Sequence, residues 1–456
     1  MKYYLSGVAG TGMNALAQYL IAEGHTVFGS DRSFDNGLSL DYKVFLEKKG
    51  VEITPQDGSI IDKSFDACIF SAAVEDTVPD YQKALSLNIP IISRSIFLKN
   101  IYNKNRSIGI AGTSGKTTVT GLLATIFLEN SIDATIFCGA EILDYSEKGI
   151  GGNFFHSKSN TLISEVDESD KKIGDYISEL AVLTNISVDH MSLEDAKDLF
   201  SKFIKNSKKV IYNADCPVLK EIMRFTDIPI VSFSTKDASA NIFIENIKTS
   251  RDSTSFDVSG IPFVIKVIGN YNIENAAAAI AIGHEMKISL PHISSSLSTF
   301  NGIKGRFELI QKDDIRSVIY DFAHNPAKID SLLVTATDHY NSITLFYQPH
   351  GYAPFKKQLA DLADIFAKRL RSKDRLIIGK IYDAGGSINR DLTSDSLSNI
   401  LKERSINAFY AENREKLFSL MIEGTPTDAY FIVGARDRTL RDLSSQIVDL
   451  FKKNSG

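Results

Sequence analysis

The run Gly112-Thr113-Ser114-Gly115-Lys116-Thr117-Thr118 stands between an apolar stretch at 106–111 and a helical pattern at 119–130. Strand, glycine turn and helix in that order commit this part of the chain to an α/β unit with a phosphate cradle at the strand end. The glycines let backbone N–H groups face phosphate oxygens, and the following helix adds the positive end of its dipole. Lys116 reaches the terminal phosphates of a nucleotide triphosphate, the Thr117 hydroxyl suits Mg²⁺, and Gly112, Thr113, Ser114, Gly115 and Thr118 complete the expected contact set. Position 110 is Ile where the longer form of the motif has Gly, so the match is to the shorter G-T-x-G-K-T. A plain glycine turn with an exposed lysine is the alternative, and it leaves the flanking strand and helix without a reason.

A chain of 456 residues has room for roughly three domains of ordinary size. Short β-branched runs alternate with helical patterns, so the expected class is α/β in three domains. These are a Rossmann-like domain at 1–103, a P-loop central domain at 104–309 whose mostly parallel sheet is joined by a small antiparallel one, and a Rossmann-like domain at 310–456. Strands are expected at 3–6, 26–28, 67–70 and 89–92 in the first, at 161–166, 181–185, 210–212 and 230–233 in the second, and at 318–321, 343–347, 376–379 and 430–433 in the third. Residues 100–105 read as a polar linker. A formal charge of -5 argues against nucleic acid or an anionic membrane as partner. Cys68, Cys138 and Cys216 follow no metal spacing and read as small buried hydrophobes of a reducing compartment. No basic-then-apolar leader and no 18-residue apolar run occurs, which points to a cytoplasmic chain; a monomer or weak homodimer is expected.

Beyond the cradle, Gly7, Gly10 and Gly12 form a glycine turn after the first strand, and Asp31 follows the second, where an acid can receive a ribose hydroxyl. The order G-x-x-G-x-G favours a bound pyrophosphate over NAD; a turn that only lets helix and strand pack is the bland alternative. Glu165, Asp167 and Glu168 close a strand, where a carboxylate can hold Mg²⁺ directly or through water. Asp189-His190 follows another strand end, and His190 suits a second cation or a reacting group.

The ordered set G-T-x-G-K-T-T, E-x-D-E-S-D, T-N-I-x-x-D-H, N-x-x-N-A-x-A-A, G-R-F and D-x-A-H-N-P resembles the Mur ligases, ATP-dependent amide-forming enzymes of peptidoglycan assembly, over nearly the whole chain. Within them the likeness is greatest to the alanine-adding branch. The resemblance implies ATP and Mg²⁺ as cofactors and ATP, a UDP-linked muramate and an amino acid as substrates. It implies Lys116, His190 and Arg306 as catalytic residues, Thr117, Glu165 and His190 as metal ligands, and Asn272, Asn275, Arg306 and Asp321 on ATP. Gly7, Gly10, Gly12 and Asp31 would hold the UDP sugar. The third block would close over the second, with 100–105 and the segment before residue 310 as hinges. Alanine-adding members usually continue Gln-Pro-His with Arg-Tyr-x-Arg, whereas here His350 is followed by Gly351-Tyr352-Ala353-Pro354. That leaves His350 and Lys356 for the amino acid, with Lys357, Arg436 or Arg438 as substitutes. A relative with another amine or acceptor, such as a murein-peptide recycling ligase, and an ATP-binding switch without ligase activity stay open; folate polyglutamylation is disfavoured by the glycine-turn domain at the start.

Overall fold

The computed structural model describes residues 1–147, 149–168, 172–187, 192–250, 252–312, 316–383, 390–435, 437 and 439–454. The chain divides into two compact units, Met1–Thr249 with Ser253–Lys304, and Gly305–Gly456 with Ser250–Asp252.

The first unit carries three sheets. A five-stranded parallel sheet has the order Glu52–Ile53, Thr26–Ser30, Lys2–Ser6, Ala67–Phe70, Ile91–Ser93. An eight-stranded sheet has the order Ile242–Phe243, Ile230–Ser234, Val210–Asn213, Leu180–Leu183, Arg106–Ala111, Thr161–Glu165, Thr135–Phe137, Phe154–Phe155; only the last pairing is antiparallel. The strand ahead of the glycine turn is thus central, and its Ile108, Ile110 and Ala111 are buried, as a strand covered on both faces requires. Strands Glu245–Thr249, Thr254–Val258 and Ile261–Ile265 form the expected small antiparallel sheet.

Helix Lys116–Glu129 is buried at every position from Val119 to Phe127, so it has no solvent face and no amphipathic stripe. Helix Asn270–Glu285 is buried from Asn272 to Gly283 save Glu274, and Ala276 to Ala279 join Val119, Leu122, Leu123 and Ile126 in one core cluster. Small side chains there let two buried helices pack side by side.

Residues 100–105 are not a linker. Helix Arg94–Asn103 takes in residues 100–103 and ends within three residues of strand Arg106–Ala111, and Tyr102 is fully buried with its hydroxyl 2.6 Å from Ser178 Oγ. Asn100 and Lys104 are exposed and Asn103 donates to Asp175 O and accepts from Ile177 N, while Ile101 and Tyr102 join the core cluster that also holds Leu5, Leu16, Phe200 and Phe203. One continuous core therefore links the first sheet to the second.

The second unit holds a six-stranded sheet ordered Glu308–Lys312, Ser317–Asp321, Ala429–Gly434, Ile343–Gln348, Arg375–Gly379, Ala408–Ala411, with only the first strand antiparallel. Its first strand starts before residue 310, and the unit itself starts at Gly305. All three cysteines are free and buried. Among the described residues no helix is long and apolar enough to cross a membrane.

Candidate active site

The turn at 112–115 is shaped by its glycines and by residues that reach it from other strands and helices. Gly112 (φ 137°) and Gly115 (φ 90°) lie where side chains are disfavoured, and a Cβ on either would collide with Thr184 Oγ1 or Asn275 Oδ1 respectively. Asn185 grips the turn on both sides: its Oδ1 accepts from Ser114 N at 3.0 Å, its Nδ2 donates to Ser114 O at 3.1 Å, and its carbonyl accepts from Thr113 N at 3.0 Å. Thr184 Oγ1 donates to Ser114 O at 2.6 Å. Sequence reasoning assigns no role to Thr184 or Asn185, although both stand in the T-N-I run.

Lys116 opens the helix, and its Nζ donates to Gly112 O at 2.6 Å and to Glu168 Oε2 at 2.8 Å. Thr117 Oγ1 donates to Glu165 Oε2 at 3.0 Å, and Glu165 Oε1 accepts from Gly139 N at 2.6 Å. Strand pairing of Arg106–Ala111 with Thr161–Glu165 delivers both acids: Glu165 lies opposite Ile110, and Val166 N continues the ladder to Ile110 O at 2.8 Å. A hydroxyl and a carboxylate oxygen side by side fit Mg²⁺, which takes one or two protein oxygens and keeps its remaining shell for water and phosphate. Among the described residues no three His, Cys, Asp or Glu side chains gather as a fuller metal centre. His190, expected near a second cation, lies outside the described residues, as do Arg436 and Arg438.

Asn272 and Asn275 are both buried in the first turns of their helix, with Asn275 Nδ2 donating to Asn272 Oδ1 at 3.3 Å. Asn272 is not the cap, which is Gly269. The Asn275 contact with Gly115 brings this pair to the glycine turn, so the structure joins Gly112 to Thr118, Glu165, Asn272 and Asn275 in one place.

In the second unit Asp321 ends strand Ser317–Asp321 and is buried, accepting from Phe307 N and Ala323 N at 2.7 Å each. Burial holds its carboxyl above the ordinary value, against the pull of those N–H groups and of the Arg306 guanidinium. Arg306 lies 6.0 Å from the Phe322 ring centre. His324 packs edge-on to His350, ring centres 5.0 Å apart. Lys356 is exposed on helix Tyr352–Arg369. A guanidinium that sequence reasoning misses, Arg390, pairs with Asp383 at 2.7 Å and lies 6.0 Å over the Tyr352 ring.

At the first sheet, the Asp31 carboxylate spans the turn, accepting from Ala9 N at 2.9 Å and from Ser33 N and Oγ at 2.9 and 2.6 Å. It caps helix Arg32–Asp35 and fixes the glycine turn at once. The Arg94 guanidinium lies beside Gly12, so close that a Cβ at that glycine would be 2.6 Å from it. Nothing in the local sequence marks Arg94, because its place depends on a strand-end register set far along the chain from the turn.

A buried P-loop helix, a lysine at the turn and a hydroxyl–carboxylate pair for a hard cation define a nucleoside-triphosphate enzyme that works on phosphoryl groups. Residues 2–106 match the model of the Mur ligase family catalytic domain and residues 110–283 that of the Mur ligase middle domain. The UDP-N-acetylmuramate–L-alanine ligase of Acetivibrio thermocellus is 31% identical over 447 residues, 94% of this chain and 92% of that one. The enzyme of the same name from Rickettsia bellii is 30% identical over 460 residues, again 94% and 92%. The crystal structure of the Thermotoga maritima UDP-N-acetylmuramate-alanine ligase superposes with a TM-score of 0.80 over the whole of both chains at 24% identity. The chain belongs to the Mur ligase family, and is an ATP-dependent amide ligase.

Proposed function

We propose that this chain joins L-alanine to the carboxylate of UDP-N-acetylmuramate, with ATP cleaved to ADP and phosphate. The observation that carries the reading is the Lys116 cradle with Thr117 and Glu165 beside it, in a chain whose relatives of 30% identity or more bear that enzyme's name. A carboxylate oxygen of the acceptor attacks the γ-phosphorus, the bond to the bridging oxygen breaks, and ADP leaves. The amine of the amino acid then attacks the carbonyl carbon of the acyl phosphate, loses a proton, and expels phosphate. Chemistry of this kind asks the protein for alignment and charge neutralisation. Lys116 and the N–H groups of 112–118 receive the phosphates, Arg306 offers a planar fork to the transferring group, Asn272 and Asn275 meet the adenine, and Asp321 accepts from the ribose. Thr117 and Glu165 would hold Mg²⁺, which when bound neutralises phosphate charge; His190 is assigned to a second cation. Gly7, Gly10, Gly12 and Asp31 take the UDP sugar, and His350 with Lys356 the amino acid. The reaction is assigned to the cytoplasm, in a monomer or weak homodimer.

Gly351 and Pro354 stand where the alanine-adding branch carries arginines, and this favours testing other amines in the same assay. Phosphate release with UDP-N-acetylmuramate is to be measured across L-alanine, glycine, L-serine and a muramyl-type tripeptide. L-Alanine is expected to give the largest kcat/KM by about tenfold, roughly 1.4 kcal/mol of barrier. A faster tripeptide would make the chain a recycling ligase, and ATP binding without release for any amine would make it a switch.

A further inference from the structure

Of the carboxylates at the end of strand Thr161–Glu165, Glu165 and Glu168 have different partners. Glu165 faces the Thr117 hydroxyl and Gly139 N. Glu168 faces the Lys116 ammonium at 2.8 Å, with the two side chains only 8% and 14% exposed. The ladder continues through Val166, fully buried, whose N–H donates to Ile110 O at 2.8 Å, and Glu168 two residues further on meets the Lys116 ammonium. An ammonium has three donors. Gly112 O at 2.6 Å and Glu168 Oε2 at 2.8 Å take two, which fixes Nζ at the end of a four-carbon stem that is otherwise mobile. One donor is then left for a phosphate oxygen.

The same arrangement sets two anions against one cation. A nucleotide phosphate that reaches Lys116 meets a carboxylate already in contact with that ammonium, in surroundings where little water screens either. Glu168 therefore aligns the lysine and also reduces the charge with which it attracts a bound nucleotide. An alignment gained at the expense of ground-state affinity raises turnover, because uniform binding of substrate and transition state does not.

We infer that Glu168 is a positioning residue for Lys116, one that trades nucleotide affinity for alignment of the transferring phosphate. The inference rests on the reading of 112–118 as the ATP cradle. It predicts effects of opposite sign from one substitution: Glu168→Gln, which keeps the shape and removes the charge, should bind ADP at least fivefold tighter and turn over at least tenfold more slowly. Glu168→Asp, which keeps the charge, should recover most of kcat.

The test uses the full chain, with ADP affinity measured by calorimetry with and without Mg²⁺, steady-state phosphate release, and thermal melting. Tighter ADP binding with lower kcat in Glu168→Gln, and recovery in Glu168→Asp, supports the inference. Weaker binding together with lower kcat and a lower melting temperature overturns it in favour of a structural ion pair. Unchanged ADP affinity with a fivefold higher Mg²⁺ requirement overturns it in favour of a metal ligand. A wild-type chain that binds no nucleotide at all removes the cradle and Glu168 together, whereas a wild-type chain that binds ADP but releases no phosphate overturns the ligase reading while the binding arm still judges Glu168.

Discussion

Asp321 and His324, within one turn at the end of a strand, respond to burial in opposite senses. Burial, then the Lys328 ammonium, lowers His324 from 6.5 to about 4, against the hydrogen bond its ring makes with Phe322 O at 2.8 Å. The folded chain therefore holds this imidazole neutral while the unfolded chain protonates it below 6.5. Stability from this source is fully present above pH 6.5 and is lost as pH falls toward 4, by about 3 kcal/mol at most. Asp321 pulls the other way: its raised carboxyl favours the protonated folded form, so its burial cost is relieved as pH falls. Melting of wild type and His324→Asn between pH 7.5 and 4.5 separates the two. The variant should lose less stability over that span, and parallel curves would show that His324 does not titrate on unfolding. The placing of Lys116, Thr117 and Glu165 at one turn was legible, because the motif ties the first two to the glycines and Glu165 ends the neighbouring strand. Asn185 and Arg94 were not, since their placement depends on which groups a strand end brings within reach, and Glu168 was marked only as a carboxylate for Mg²⁺, not as the partner of Lys116.

Among the elements, the strands with four or more residues of β-branched character were legible, and the antiparallel sheet was recognised from its turns. The two- and three-residue strands Glu52–Ile53, Thr135–Phe137 and Phe154–Phe155 were not, because so few residues show no period. Helix Arg94–Asn103 is the larger miss. Its last turn buries only Ile101 and Tyr102, and Tyr102 meets residues more than 70 positions along the chain, Tyr176 and Ser178, so no local pattern announced it. The Tyr102 ring meets Tyr176 edge-on at 5.0 Å and its hydroxyl meets Ser178. Tyr102→Ala should cost about 3–5 kcal/mol, as large-to-small changes in a packed core do, whereas a linker side chain would cost almost nothing. Urea unfolding measures the difference.

For the whole chain, class and family were legible because several separated motifs keep one order, a constraint that composition does not impose. The amine was not, because the residues after His350 to which the resemblance assigns it depart from the branch. The buried thiols have a use of their own. Cys68 lies in the five-stranded sheet, with its thiol pushed up to about 12 by burial and then by Asp80; Cys138 follows a strand of the eight-stranded sheet, with its thiol pushed up by burial and then by Glu165; Cys216 caps helix Pro217–Met223. They are 0%, 2% and 8% exposed, and all lie in the first unit. A thiol-directed label offered to the native chain should therefore mark openings of that unit alone, with Cys216 modified ahead of Cys68 and Cys138. Mass mapping after timed pulses would read the order, and modification of Cys68 at the rate of the denatured chain would contradict it. The three sulfurs thus make an unengineered set of reporters for where this enzyme comes apart first.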